Sequence, residues 1–222
     1  VQSPESETLT QGPRLALARD AAFCFYYEEN LAALRGAGFE IVEFSPIAGE
    51  ILPPGTAAVY FGGGYPESFA RELAENVNLA EQLRRAAELG MPIYGECGGL
   101  IYLGRSLTGF DGKTYPMSGV LPIDFVMDSA YLRIRYLELT TRRDSLLGPA
   151  GTVIRGQEFH QSRVVSSDLS ADLYAAKTTD GREFYDGYQY KQVVASYAHV
   201  YFNSSPAAAS SFVSAAQRLR TR

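Results

Sequence analysis

Tryptophan is absent from the 222 residues, and cysteine and histidine occur only twice each. Two cysteines, Cys24 and Cys97, cannot make the disulfide framework of a small secreted domain, and their spacing fits no zinc site, so no metal is expected. Basic excess is also missing. Twenty Lys+Arg against 25 Asp+Glu leave a net charge of −5, without the positive footprint that nucleic-acid binding requires. No apolar run approaches the roughly 20 residues that span a bilayer, and no charged-then-apolar leader opens the chain. What is present is 46% hydrophobic and 12% aromatic residues, too much for a disordered chain and enough for a core. The expectation is a soluble, cytoplasmic α/β protein that contacts neither nucleic acid nor membrane.

Residues 1–13 are Ser, Glu, Thr and Pro with little that is apolar, and read as a linker or tail before one domain over 14–222. The chain begins at Val1, which suggests a piece of something longer. Short apolar runs at 15–18, 40–44, 57–61 and 92–94 read as strands. Between them lie helical patterns at 28–35, ending at Gly36 and Gly38, and one long helix over 68–89. Strands alternating with helices imply a mostly parallel sheet with helices on both faces. The second half changes character. Residues 132–140 alternate Leu132, Ile134 and Tyr136 with Arg133 and Arg135, which predicts an antiparallel strand with the arginines on its wet face. Further strands are expected at 153–155, 164–165, 182–190 and 192–198, then a helix after Pro206.

The most informative segment is Gly95-Glu96-Cys97-Gly98-Gly99, where a strand meets a helix and a cysteine sits between glycines. This is the thiol form of a nucleophile elbow: glycine neighbours leave room for a strained turn, and the helix N-terminus favours thiolate. Cys24, between Phe23 and Phe25, lacks such neighbours and reads as structural. The run Gly62-Gly63-Gly64 closes the preceding strand with no Gly-Lys-Ser after it, so a phosphate loop is disfavoured. Loops at the carboxyl ends of neighbouring parallel strands meet, so Gly63 and Gly64 with Gly98 could supply oxyanion donors beside Cys97. A thiol nucleophile needs a base, and His160 and His199 are the two candidates. His199 ends an apolar strand pattern and His160 follows a polar loop beside Glu158. Composition does not choose between them.

The segments Gly62-Gly63-Gly64-Tyr65-Pro66-Glu67, Tyr94-Gly95-Glu96-Cys97-Gly98-Gly99-Leu100, Glu158-Phe159-His160-Gln161-Ser162 and Ser196-Tyr197-Ala198-His199 resemble, in this order, those of class I glutamine amidotransferases of the cobyrinate/cobyrate type, the cobyrinic acid a,c-diamide synthase branch most of all. The likeness runs from about Arg14 to about Pro206. It implies a flavodoxin-like fold with antiparallel strands added in the second half. It also implies Cys97 as nucleophile on glutamine and His199 as general base. The acid that many class I enzymes carry two positions after this histidine is here Tyr201, which leaves Glu96 or Glu158 as candidate orienting groups. His160 would lie at the site periphery or toward a synthetase. The resemblance further implies an ATP-dependent N-terminal synthetase half, taking Mg-ATP and a corrin substrate and receiving ammonia. No phosphate-loop lysine motif lies in these residues, so that half and its cofactor would lie outside this chain. Other cobyrate-type glutaminases (cobyric acid synthase, a peptidoglycan amidation subunit) and a redox-sensing α/β domain are the competing readings.

Overall fold

A computed structural model describes residues 12–220. Of the expected linker, residues 1–11 lie outside the described residues. Pro13 is buried, and its carbonyl accepts from the Glu40 N–H at 3.1 Å. The first half runs β1 (Arg14–Ala18), α1 (Glu28–Ala37), β2 (Glu40–Phe44), β3 (Thr56–Phe61), α2 (Ala70–Glu75), α3 (Val77–Glu88), β4 (Ile93–Glu96) and α4 (Gly98–Leu103). The second half adds β5 (Ser106–Thr108), β6 (Thr114–Pro116), β7 (Ile123–Met127), β8 (Arg133–Thr141), β9 (Val153–His160) and β10 (Ser162–Ser167). It closes with β11 (Tyr174–Thr178), β12 (Glu183–Asp186), β13 (Tyr188–Tyr190), β14 (Val193–Ser196), β15 (Ala198–Tyr201) and α5 (Pro206–Arg220).

The central sheet has the order β13-β14-β4-β3-β1-β2 and is parallel except for the β13–β14 pair. Its inner strands β14, β4, β3 and β1 are buried on both faces, as near-continuous apolar runs require, while the edge strands β13 and β2 are only partly covered. Ala16, Val59, Phe61 and Ile93 point into one core layer with Leu73, Leu83 and Leu100, from α2, α3 and α4. Leu15, Leu17, Tyr60 and Tyr94 point into the other, against Leu31 and Leu34 of α1 and Phe212 of α5. Each layer is closed by a second sheet. The four-stranded β10-β7-β5-β6 sheet joins the first layer, and the antiparallel β12-β11-β8-β9-β15 sheet joins the second.

The expected helix over 68–89 is broken. At Asn76 the backbone leaves the helical region (φ −81, ψ 62), and its side chain accepts from the Leu79 N–H while donating to the carbonyls of Pro46 and Glu50. A capping amide of this kind starts a new helix rather than continuing the old one. The expected strand 182–190 is two strands in different sheets, split at Gly187 (φ +79). Likewise 192–198 splits at Tyr197: β14 stays in the central sheet while β15 joins the antiparallel one. On β8 the expected facing is reversed. Leu137 and Leu139 claim the core at 3% and 0% exposure, which turns Ile134 and Tyr136 outward at 58% and 68% and Arg133 and Arg135 inward. The strand carries apolar residues in both phases, and the one leading to Leu139 wins because it faces the larger core.

Candidate active site

The turn between β4 and α4 holds Cys97 at φ 49, ψ −99, one of two non-glycine residues with positive φ among those described. Such geometry is strained and persists only where the surroundings fix it. Its neighbours explain how. A Cβ on Gly99 would overlap the Phe61 carbonyl, and one on Gly95 would come within 2.7 Å of Leu103 Cδ1. Strand and helix therefore approach more closely than any side chain would allow. The glycine loop after β3 lies against this elbow. A Cβ on Gly98 would stand 3.0 Å from Pro66 Cδ and 3.1 Å from the Gly64 nitrogen, and Gly64 itself has φ +154.

Cys97 is 7% exposed, and its sulfur lies 3.5 Å from the Phe159 carbonyl, toward which its S–H is directed. Burial pushes the thiol up to about 12, and the carboxylate of Glu67, with those of Glu96 and Glu158, adds to the shift; the Gly98 N–H, bonded to the sulfur, opposes it. The expectation of a thiolate at a helix N-terminus is thus overturned for the resting site. α4 has six residues, too short a dipole to outweigh desolvation and three acids.

The crossing from β14 to β15 at Tyr197 sets His199 in the same cavity, about 250 Å³, as Cys97. Its ring packs edge-on to Phe25 (centroids 4.7 Å apart), and a Cβ on Gly63 would overlap its Cε1. Nδ1 points to Glu96 Oε2 at 3.9 Å and has no hydrogen-bond partner among the described residues. Burial, with the nearby His160, lowers the His199 pKa to about 4. Glu96 is 2% exposed and accepts from Tyr60 OH (2.8 Å), Tyr94 OH (2.8 Å) and the Val200 N–H (3.0 Å). Burial nonetheless raises it to about 7, against the pull of those three donors. Imidazole and thiol are both neutral at rest, and the one carboxylate beside the imidazole is half-ionised at neutral pH.

His160 lines the same cavity, stacked on Tyr197 at 3.6 Å. Both its ring nitrogens are occupied, Nε2 by Glu158 Oε1 (2.6 Å) and Nδ1 by the Ser162 carbonyl (2.8 Å). The second oxygen of Glu158 is bound by Arg135 Nε at 2.8 Å. Burial alone would raise Glu158, but the His160 hydrogen bond and the Arg135 guanidinium hold it below the usual carboxylate range. Of the two candidate orienting acids, Glu158 therefore serves His160, and Glu96 is the one beside His199.

Residues 14–207 match the model of the CobB/CobQ-like glutamine amidotransferase domain. The chain belongs to this family. A cobyrinate a,c-diamide synthase of Thermoplasma volcanium is 41% identical over 201 residues, covering 90% of this chain and 44% of that protein. The Salmonella typhimurium protein of the same name is 38% identical over 215 residues, covering 96% of this chain and 46% of that one. The chain thus spans less than half the length of the curated relatives it matches. Among solved structures, a glutamine amidotransferase superposes with a TM-score of 0.61 at 19% identity (91% of this chain, 98% of the other), and PurLQS from Thermotoga maritima with 0.62 at 16% (94% and 99%). The fold is that of the class I glutamine amidotransferases, as the sequence motifs imply.

Within this amidotransferase domain, three features escaped the sequence reading. Cys24 is exposed and lines the cavity, so it is not a buried packing residue. Its two phenylalanine neighbours suggest burial, but Asp20 accepts from the Ala22 and Phe23 N–H groups in a tight turn that lifts the next residue out. Glu67 also lines the cavity, with its carboxyl raised by burial, and no lysine or arginine among the described residues lines it with Glu67. Gln157 projects into the same space from β9, opposite His199 in the β9–β15 pairing. Glu67 was legible as the last residue of the Gly-Tyr-Pro-Glu segment. Gln157 was not, because its placement depends on a sheet pairing that no local pattern reveals.

No helix among the described residues is long and apolar enough to cross a membrane.

Proposed function

We propose that this chain is the glutaminase portion of a cobyrinate a,c-diamide synthase. It hydrolyses glutamine through a Cys97 thioester and delivers ammonia to a Mg-ATP-dependent synthetase that amidates the a and c carboxylates of the corrin, in the cytoplasm. The observation that carries the reading is the strained Cys97 turn sharing one cavity with an imidazole whose Nδ1 faces a buried carboxylate. The names of the longer relatives supply the corrin.

In the acylation step the Cys97 thiol gives its proton to Nε2 of His199, the ring nitrogen not facing Glu96, while sulfur attacks the side-chain amide carbon of glutamine. The oxyanion that forms takes hydrogen bonds from backbone N–H groups of Gly98 and of Gly63 or Gly64 on the facing loop. Collapse breaks the C–N bond, and the imidazolium returns the proton to the departing nitrogen, releasing ammonia. Water then loses a proton to His199 and attacks the thioester, giving glutamate and the thiol. Ionised Glu96 stabilises the imidazolium in both steps, so the 3.9 Å gap to Nδ1 closes as charge develops. Glu67 receives the α-ammonium of glutamine, the one cation the substrate brings to this cavity.

Two experiments test this. A glutamine-analogue diazo-ketone should add once to the chain, at Cys97, with glutamine protecting; labelling that peroxide blocks and glutamine does not would favour a redox sensor. Glu67→Gln should raise KM for glutamine about 10- to 100-fold, the value of a charge-assisted hydrogen bond, with a smaller effect on kcat. The penalty should vanish with 4-carbamoylbutanoate, which lacks the α-amino group. An equal penalty on both substrates would remove Glu67 from this role.

A further inference from the structure

Cys97 directs its thiol proton at the Phe159 carbonyl, 3.5 Å away, whereas attack on glutamine needs that proton on His199. Phe159 is not anchored by its own side chain, which points outward and leaves the residue 51% exposed. Nor does the neighbouring strand hold it, for the β9–β15 pairing ends at Glu158 opposite Ala198, one residue short. What holds this carbonyl lies on either side of it in the chain. Residues i and i+2 of a strand share a face, so the side chains of Glu158 and His160 meet beside Phe159. They bond at 2.6 Å, and the other ring nitrogen of His160 continues to the Ser162 carbonyl at 2.8 Å. One imidazole therefore ties together residues 158, 160 and 162, across the corner where β9 ends and β10 begins. Arg135 of β8 holds the far oxygen of Glu158. The ring stacks on Tyr197, whose hydroxyl accepts from Ser162 Oγ at 3.0 Å. Burying the Glu158 carboxylate costs desolvation that apolar packing would avoid, so geometry rather than stability accounts for it.

We infer that the Glu158–His160 pair is a positioning clamp that fixes the Phe159 carbonyl and so keeps the Cys97 proton off His199 until glutamine fills the cavity. The inference rests on the reading of Cys97 as the glutaminase nucleophile and adds a resting state to it. Neither side chain of the clamp reaches substrate, because both ring nitrogens and both carboxylate oxygens are occupied. A hydrogen bond given by the neutral form of an acid opposes its ionisation, and the partial negative charge of the carbonyl opposes a thiolate. The carbonyl thus acts in the same sense as the carboxylates around the sulfur, Glu67 from the glycine loop, Glu96 from β4 and Glu158 from β9. Cys24, Tyr65, His160, His199 and the Tyr197 hydroxyl are the other titratable groups about it. Glutamine displaces the thiol from the carbonyl, and the proton passes to Nε2 of His199 as sulfur attacks.

The test uses the 222-residue chain carrying Cys24→Ser, which leaves Cys97 as its one thiol. Two amides replace His160. The nitrogen of Gln reaches the place of Nε2 and keeps the bond to Glu158, whereas that of Asn reaches only the place of Nδ1 and keeps the bond to Ser162. Both remove the same ring and the same titratable group, so stacking on Tyr197 and charge change alike. Iodoacetamide alkylation of Cys97, followed by intact mass from about pH 6 to 10, should be about three- to tenfold faster in His160→Asn than in His160→Gln below the midpoint of its pH profile. That range is the worth of one hydrogen bond. Equal rates in the two variants, or a slower His160→Asn, overturn the clamp. The infrared S–H stretch of the chain with His160 in place is a second measurement that needs no change at this position. It should lie below that of a free thiol and move up in His160→Asn. A stretch already at the free-thiol position overturns the hydrogen bond through which the clamp acts. Neither measurement needs turnover, so both decide the clamp even if diazo-ketone labelling shows that Cys97 is not the glutaminase nucleophile.

Discussion

Cys97 occupies a position where its thiol is hard to ionise and its attack geometry is nonetheless set. With the thiol near 12 rather than the ordinary 9, the thiolate fraction at pH 8 falls about 1000-fold. Iodoacetamide at pH 8 should therefore modify exposed Cys24 well before Cys97, as peptide mapping would show. Faster reaction at Cys97 would mean that the resting thiol is already activated. The choice between the histidines also belongs to single residues. His199 Nδ1 faces Glu96 without a hydrogen-bond partner, and among the described residues no hydrogen bond engages its Nε2, whereas both nitrogens of His160 are taken. His199→Ala should lower glutaminase kcat by about 10²–10⁴, the range for a lost general base. His160→Ala should cost less in kcat and more in stability, because it empties a stacked site on Tyr197 and leaves the Glu158–Arg135 pair short of a partner. Assay of both variants in the full-length enzyme, where ammonia production is coupled, would reverse the assignment if the ranking came out inverted.

The elements show why some of this architecture could be read from the sequence and some could not. The elbow was legible because its requirement is local: the glycines beside Cys97 permit a turn whose close contacts with Phe61 and Leu103 are confirmed in the fold. The helix 68–89 misled because Phe69 and Leu73, and again Leu79 and Leu83, keep a four-residue spacing on either side of a break that one capping amide imposes, and the six-residue step from Leu73 to Leu79 is the one trace of it in the pattern. The facing of β8 misled because the strand is apolar in both phases, and only the depth of the core at Leu137 and Leu139 decides between them. The crossing at Tyr197 was invisible, since β14 and β15 read as one strand although they belong to two sheets. Two substitutions probe these elements. Gly63→Ala places a methyl group on the His199 ring and should abolish glutaminase turnover while leaving the fold, seen by circular dichroism, in place. Asn76→Ala removes the α3 cap and two hydrogen bonds to the Pro46 and Glu50 carbonyls, and should lower unfolding free energy by about 1–3 kcal/mol in urea titrations without touching turnover.

For the whole molecule, the buried Glu96 and His199 give global stability two opposing dependences on pH. Glu96 titrates at about 7 in the folded protein against 4.5 for the free group, so the native state holds its proton more tightly. Its contribution falls as pH rises from about 4.5 to 7, by about 3 kcal/mol in all. His199 titrates at about 4 against 6.5, so the native state resists protonation, and stability falls as pH drops from 6.5 to 4 by a similar amount. The two slopes offset one another over the shared window, and each should emerge when the other group is removed. Glu96→Gln, neutral at every pH, should gain on the wild type by about 3 kcal/mol between pH 4.5 and 7. His199→Gln should gain on the wild type as pH falls from 6.5 to 4. Urea unfolding of the three proteins across this range provides the measurement, and parallel pH curves would mean that neither group is held in the ionisation state its burial dictates. The same pair links stability to chemistry: the carboxylate that destabilises the fold once ionised is the one placed to hold the imidazolium, so Glu96→Gln should yield a more stable protein at pH 7 and a slower glutaminase.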